Sequence, residues 1–538
     1  MEKLNKKEDH MFTRWIFWIF NNLFCIVFLG LFISLCFFNN GFYKYNVIIT
    51  LVAAIFVLGL GVFIYYHIRK CKVLKTQPYK VMVISMGVIF ILQMIYVCLT
   101  TTSIGWDVGM VVGSAISDNP TENSLYFSRN TNNLFLAFSF RFVAYLYRIA
   151  FGNVEYIWHV LSVINVIAID ISIVLIFFIG KKMFSLKIAY IAYGLSVLLF
   201  GFFPWIIVPY SDTLAMPFTV LIFWLFLLLK DARKLRYRIL LSVVIGSITF
   251  IGYLIKPTVV IVLIAALLIT LVSTIGKWKN MVISMTSFFV IFATFAGGNP
   301  LWGKFIDQQN TYMLDKDIQI PFTHFIMMGM KEVKMGTEED SPIYYGSYNV
   351  EDVSATFSKA STKEMQEMHL EVIKERFRNY GALGYLKFLI NKARWVTSEG
   401  QFFWGLEGNF ANYDNQSNFL ANIIYNVNPS YNIYLYYSQG IWLFVFFMIV
   451  YPLFTKNKKE KYYYSVGISF IRCTIVGILL FILLFEGRSR YLILYLPYFS
   501  LLAAYGLLQL GDKVAKRWES ENIWRHWHLK VIHKKKRE

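Results

Sequence analysis

Twelve long apolar runs, separated by short polar stretches, leave this chain few ways to fold. They fall at about 15–38, 46–66, 81–100, 158–178, 187–203, 213–229, 239–254, 258–274, 280–297, 433–453, 466–485 and 491–509. Most approach the ~20 residues that an α-helix needs to cross a hydrocarbon layer of ~30 Å. In lipid every backbone amide must be satisfied within its own segment, which selects helices. Composition agrees: 57% of residues are hydrophobic and 16% charged, with a mean hydropathy of +0.52. The sequence therefore predicts an all-α integral membrane protein with about 12 transmembrane helices. The first run is too long to read as a cleaved signal peptide and lacks a cleavage region.

A net charge of +20 invites a nucleic-acid partner, but the placement of the charge argues for none. With the N-terminus cytoplasmic, 32 of the 52 Lys and Arg fall within 1–14, 67–80, 179–187, 230–238, 277–279, 455–461 and 512–538, all on one side. That is the positive-inside pattern, and it predicts a cell-membrane protein with both termini inside. Attraction to anionic lipid accounts for the rest of the basicity. On the other side, residues 298–432 hold 16 of the 32 acids and 12 basic residues, enough chain for a small mixed outer subdomain.

The sequence thus divides into 1–80 (cytoplasmic N-terminus and a helical hairpin), 81–297 (membrane core, with a first large outer loop at 101–157), 298–432, 433–510 (C-terminal spans) and 511–538 (basic tail). Within the first outer loop, 108–115 and 134–150 read as interfacial helices. The five cysteines lie outside both large outer loops and assemble neither a disulfide framework nor a metal site. No phosphate loop or dinucleotide fingerprint is present, so no metal or cofactor is expected.

Candidate chemistry collects at the outer edge. Asp107, in Gly105-Trp106-Asp107, follows a span and reads either as a helix N-cap or as a carboxylate that takes a proton from a hydroxyl. Asp118 and Glu122 follow in a turn and read as solvated or as a second acid. Arg129 heads a run of amide side chains to Asn133. Tyr210 and Asp212 close another span. Lys256 is a cation on the side poor in cations, suited to an anionic headgroup or to snorkelling. His324 precedes a Met-rich stretch and reads as a sugar or phosphate donor or as a packed histidine. Glu486, Arg488, Arg490 and Tyr491 lie between two apolar runs, where paired guanidiniums suit phosphate oxygens or a structural ion pair. The aromatic and polar segment 398–404 suits a sugar face or an interfacial belt.

In this order and on this side, these elements resemble those of bacterial multi-pass glycosyltransferases of the GT-C superfamily. The likeness is to the protein mannosyltransferase and aminoarabinose transferase type found in Gram-positive cell envelopes. It spans roughly 81–510: Asp107 for the first-loop acid, Arg129 to Asn133 for the arginine–amide stretch, Tyr210-Ser211-Asp212 for Tyr-Thr-Asp, Lys256-Pro257-Thr258, His324 to Gly329, and Glu486 to Tyr491 for Glu-x-Arg-x-Arg-Tyr. Three features depart from the pattern. Val108 replaces a frequent second acid, Arg129-Asn130-Thr131 replaces Arg-Tyr-Pro, and the hairpin at 15–66 is additional.

The resemblance implies a GT-C-type fold and an inverting transferase. Its donor would be a sugar on undecaprenyl phosphate, made by a separate enzyme, and its acceptor an envelope glycan or teichoic acid outside the membrane. Asp107 would be the general base and Lys256, Arg488 and Arg490 would bind the donor phosphate. Arg129, Tyr210, Asp212, His324, Glu486 and Tyr491 would line the donor site. Two other readings remain: a polymerase or ligase using a polyprenyl-pyrophosphate glycan, and a flippase or transporter, for which Asp170, deep in a span, is the one pointer.

Overall fold

Local signals set the ends of the helices. Asn46 caps Val47–Lys70, its side chain accepting from the amides of Ile48 and Ile49 at 3.0 and 3.2 Å. Ser185 and Ser465 cap Leu186–Ser196 and Val466–Leu484 in the same way, as small oxygen-bearing residues do at helix starts. Pro78 opens Pro78–Thr100, where its missing N–H costs nothing. The computed structural model describes residues 11–37, 45–337, 341–411, 418–455 and 465–535, with side chains to 518. The basic stretch at 456–461 and the side chains of the basic tail beyond 518 lie outside the described residues.

The chain is an all-α multi-pass integral membrane protein. Among the described residues, twelve helices are long and apolar enough to cross a bilayer. One of them, Thr131–Phe151, stays at one end of the bundle. Asn133, just before its main helix, accepts from the Tyr210 hydroxyl at 3.1 Å. Its other end, Gly152, is five residues from the start of Ile157–Met183, which lies at the same end beside Ile207. Five residues span about 17 Å at most, too little to return across a bilayer. It packs on Trp106–Ile116, with Arg141 donating to the Ser117 carbonyl at 3.1 Å, so both expected interfacial stretches are helices at one end. Leu186–Gly201 is shorter but runs from end to end. Tyr190 donates to the Pro78 carbonyl at the basic end, and the Gly201 carbonyl lies toward the other. Exchanging the one for the other leaves twelve crossings, and the first and last described spans share the basic end.

The last span, Ser489–Trp518, is the centre of the bundle, with 89% of its apolar window buried against 6% for Val47–Lys70 at the rim. Several polar side chains inside the bundle are tied to partners, which lipid surroundings favour. Asn21 donates to Ser469 at 2.9 Å and accepts from Arg472 at 2.7 Å. Gln93 donates to Asp170 at 3.0 Å and to the Gly201 carbonyl at 2.9 Å, so the glutamine ties its own span to two others and gives the deep acid a partner.

Two boundaries differ from expectation. Trp278–Gln308 continues through Gly297, Gly298 and Pro300, past the expected end at 297. The Phe250 ring packs where a Cβ on Gly298 would sit, so the glycine serves a helix contact and not a turn. The last helix runs on from Leu496 to Lys535, through the expected tail. Beyond Gln308, the subdomain has a hairpin pairing Glu332–Lys334 with Ile343–Tyr345, and the helices Phe322–Gly329, Val350–Phe357 and Thr362–Thr397, the last kinked at Gly381 with φ +60°. Buried Lys392 clasps it to the bundle, donating to the carbonyls of Gly329 and Phe485 at 2.7 Å and of Leu483 at 3.3 Å.

The central helix crosses Tyr431–Val450 so closely that a Cβ on Gly506 would lie 1.9 Å from the Met448 carbonyl oxygen. Gly506→Val must push the two helices apart, and overpacking of this kind costs about 1–3 kcal/mol or more. A clear drop in melting temperature is expected in detergent, with none for Gly59→Ala, whose Cβ would meet nothing within 4 Å. Equal melting of Gly506→Val and the parent protein would contradict the close crossing.

Candidate functional site

At the end opposite the basic loops, residues far apart in sequence converge. Gly105 starts the helix Trp106–Ile116 without a side-chain cap, and Asp107 lies in its first turn. Its carboxylate accepts from the Tyr126 hydroxyl at 2.8 Å. Asn133 donates to that hydroxyl at 2.7 Å and accepts from Tyr210 at 3.1 Å. Asp107 is thus held by a polar chain reaching the next span and is not the helix cap. Burial pushes its carboxyl above the usual range, and the Tyr126 hydrogen bond and the Arg490 charge counter this in part. Trp106 adopts φ +46°, the left-handed region that bulky residues avoid. Held there, its ring faces the Arg490 guanidinium at 4.7 Å and meets Tyr210 edge-on at 5.0 Å.

Beside Asp107 lies a buried ion-pair cluster. Lys256 pairs with Asp212 and sits 4.7 Å from the centre of the Tyr491 ring. The Arg490 Nε lies 3.4 Å from the other Asp212 oxygen, and its Nη1 donates to Glu407 at 3.0 Å. Arg488 Nη1 donates to the same Glu407 oxygen at 2.5 Å, and its Nε lies 3.6 Å from Glu486. Glu486 accepts from the Tyr491 hydroxyl at 2.5 Å. Burial lowers the affinity of the Lys256 ammonium for its proton, and Asp212 opposes this. Among the described residues neither arginine Nε has a hydrogen-bond partner, although both atoms are buried.

Backbone packing fixes the arginine segment. The Glu486 amide donates to the Phe325 carbonyl at 2.6 Å, and the Gly487 amide to that of Gly346 at 3.0 Å. Gly346 has φ +64°, and a Cβ there would strike Gly329 and Lys392, so glycine is required. Ser489 donates to Glu399 at 2.7 Å. The segment carrying Glu407 is itself bonded to the approach to Asp107: the Gly105 amide donates to the Phe410 carbonyl at 2.8 Å, and Ile104 bridges Ala411.

Of the candidate residues read from the sequence, Asp107, Tyr210, Asp212, Lys256, Glu486, Arg488, Arg490 and Tyr491 come together. Two make their contacts elsewhere. Arg129 stacks on the Phe357 ring at 4.0 Å. His324 is buried in a subdomain network, its Nδ1 2.8 Å from the Thr356 hydroxyl, which lies 2.9 Å from His369 Nε2. Asp118 pairs with Arg148 at the surface. Glu407 and Glu399 were missed as site residues. Their only sequence signal is an acid within an aromatic stretch, and what makes them part of the site is a partner 81 and 90 residues away. Among the described residues no group of three or more His, Cys, Asp or Glu is arranged to hold a metal ion.

Fold and site together define an integral membrane protein with a self-neutralised charged chamber at one end of a helical bundle. More narrowly, the chain belongs to the family described as conserved hypothetical integral membrane proteins, whose family model matches residues 9–509. No curated protein and no solved structure matches it.

The His324 network yields a pH dependence. Burial pushes both His324 and His369 from 6.5 down to about 4, and for His369 the neighbouring His324 adds to the effect. The unfolded chain therefore binds protons that the folded subdomain refuses. Stability is full above about pH 6.5 and falls as pH drops toward 4. Amide protection in Val350–Phe357, corrected for the intrinsic exchange rate at each pH, is expected to be lower at about pH 5 than at about 7.5, with a smaller difference in His369→Gln. Equal protection at both pH values in the parent protein would refute it.

Proposed function

We propose that the chain is a membrane glycosyltransferase of the GT-C type that moves a sugar from a polyprenyl-phosphate donor to an envelope glycan or teichoic acid on the outer face. One observation carries the reading: three largely buried cations from two distant parts of the chain converge beside a carboxylate held by a tyrosine hydroxyl, at the bundle end away from the basic loops. A lipid-borne phosphate suits that place, because the bilayer holds the tail and the chamber meets the headgroup.

Tyr126 holds Asp107 Oδ1 and leaves Oδ2 to face the acceptor hydroxyl. Asp107 takes the hydroxyl proton as the oxygen attacks the anomeric carbon, and its raised pKa makes it a stronger base than a free carboxylate. The bond from the anomeric carbon to the phosphate oxygen breaks, and its electron pair stays on that oxygen. Lys256, Arg488 and Arg490 stabilise the charge developing there. A single displacement inverts the anomeric centre and leaves polyprenyl phosphate and the glycoside. Tyr210 and Asn133 act through Tyr126, and Asp212 and Glu486 orient the cations.

Asp107→Asn keeps size and cannot accept the proton. Loss of a general base costs ~10²- to 10⁴-fold. The variant is expected to insert, melt near normally and transfer sugar at no more than about 1% of the parent rate with saturating undecaprenyl-phosphate sugar. Retention of a third of the rate would leave Asp107 structural. If the variant fails to fold, Asp107→Glu, which keeps the base, should transfer measurably in the same assay.

Sidedness has its own test. In a variant lacking the five native cysteines, Cys introduced at Glu371 should react with an impermeant thiol reagent in intact cells, and Cys introduced at Lys75 should not. The opposite labelling would place the chamber inside and remove the proposed acceptor.

A further inference from the structure

We infer that Glu407 is a built-in substitute for the anionic ligand: it occupies both arginines in the resting protein and is displaced when the ligand's phosphate arrives. The identity of that ligand rests on the reading above, whereas the displacement applies to any phosphate drawn to these arginines.

The charges of the chamber lead to this. Its cations are Lys256, Arg488 and Arg490, and its carboxylates are Asp107, Asp212, Glu407 and Glu486. The four acids already outnumber the three cations, so a phosphate added to the closed cluster would be a buried anion without a counter-charge, a costly state. One acid has to withdraw. Asp212 is fixed by Lys256 in the first turn of its helix, Glu486 by Tyr491 and by its backbone bond to Phe325, and Asp107 by Tyr126. The Glu407 carboxylate differs. Among the described residues its hydrogen bonds go only to Arg488 and Arg490, through a single oxygen at 2.5 and 3.0 Å.

Glu407 also sits on a short element, the four-residue turn Trp404–Glu407, and not on a span. Both arginines keep a buried Nε–H that makes no hydrogen bond among the described residues, that of Arg490 lying 3.4 Å from Asp212 and that of Arg488 3.6 Å from Glu486. A phosphate has more acceptor oxygens than a carboxylate and can engage these donors along with those Glu407 gives up. In this arrangement Glu407 keeps two arginines from lying buried and unpaired when no ligand is bound, and it sets a threshold that weaker anions fail to meet.

A ligand that must first displace a group holding the site nine-tenths of the time binds about tenfold more weakly than to a vacant site. The test uses full-length protein in detergent, with undecaprenyl phosphate and inorganic phosphate as separate probes. Glu407→Gln, which keeps shape and loses charge, is expected to bind undecaprenyl phosphate about tenfold tighter than the parent, and Glu407→Asp, too short to reach both arginines, to fall between them. Arg490→Ala should abolish the gain. If Glu407 merely aligned the arginines, both Glu407 variants would bind more weakly, and equal or weaker binding overturns the inference. Should neither parent nor variant bind the lipid, the donor assignment fails and inorganic phosphate decides for Glu407: a gain in Glu407→Gln upholds displacement, and no gain refutes it. Should Glu407→Gln not fold, Glu407→Asp decides in the same way.

Discussion

The shared hold of Glu407 on Arg488 and Arg490 is the contact on which the rest of this end of the molecule depends. A guanidinium buried at the edge of a membrane bundle is tolerated only with a counter-charge, and breaking such a pair costs about 3–5 kcal/mol. The cluster therefore acts as a tether. Through Arg490 it joins the central helix to Asp212, through Asp212 to Lys256, and through Glu407 to the subdomain. The Gly105–Phe410 hydrogen bond extends the tether to the helix bearing Asp107. Trp106 keeps its unfavourable backbone conformation because the surrounding contacts over-determine it.

Much of the membrane architecture could be read from the sequence, because apolar length and charge placement are one-dimensional signals. The limits of that reading are instructive. Thr131–Phe151 has the length and apolarity of a span and lies at one end, whereas Leu186–Gly201 is short and crosses. Reading 134–150 as interfacial depended on Arg141 and Arg148, whose charges favour the rim, and both reach the 116–118 turn there. Trp278–Gln308 runs past the expected end at 297 and through Pro300 because a helix already packed against Phe250 can absorb one missing hydrogen bond.

The site was legible in part. Cations on the side poor in cations stand out in sequence, and Lys256, Arg488 and Arg490 share one chamber. Asp107 was visible by its place after a span, but the hydroxyl holding it was not. Tyr126 reads as one tyrosine among 35 until the fold sets it against the carboxylate. Glu407 was invisible for a related reason: the large outer loop is acidic throughout, and only a three-dimensional partner separates one glutamate from fifteen other acids. His324 was misleading because a buried histidine bonded to a threonine leaves the same trace in sequence as one awaiting a ligand.

The distribution of the chamber along the chain also bears on how the protein is made. Asp107, Asp212 and Lys256 leave the ribosome early, Glu407 well after them, and Arg488 and Arg490 close to the end. Through most of synthesis Asp212 has only Lys256, and Glu407 has no cation at all. The segment that supplies the missing charges opens the most deeply buried span of the bundle. Closing the bundle around this span and completing the chamber are therefore one event. A nascent chain halted before that event carries acids without their cations at this end of the bundle, an exposed flaw that separates an unfinished molecule from a finished one.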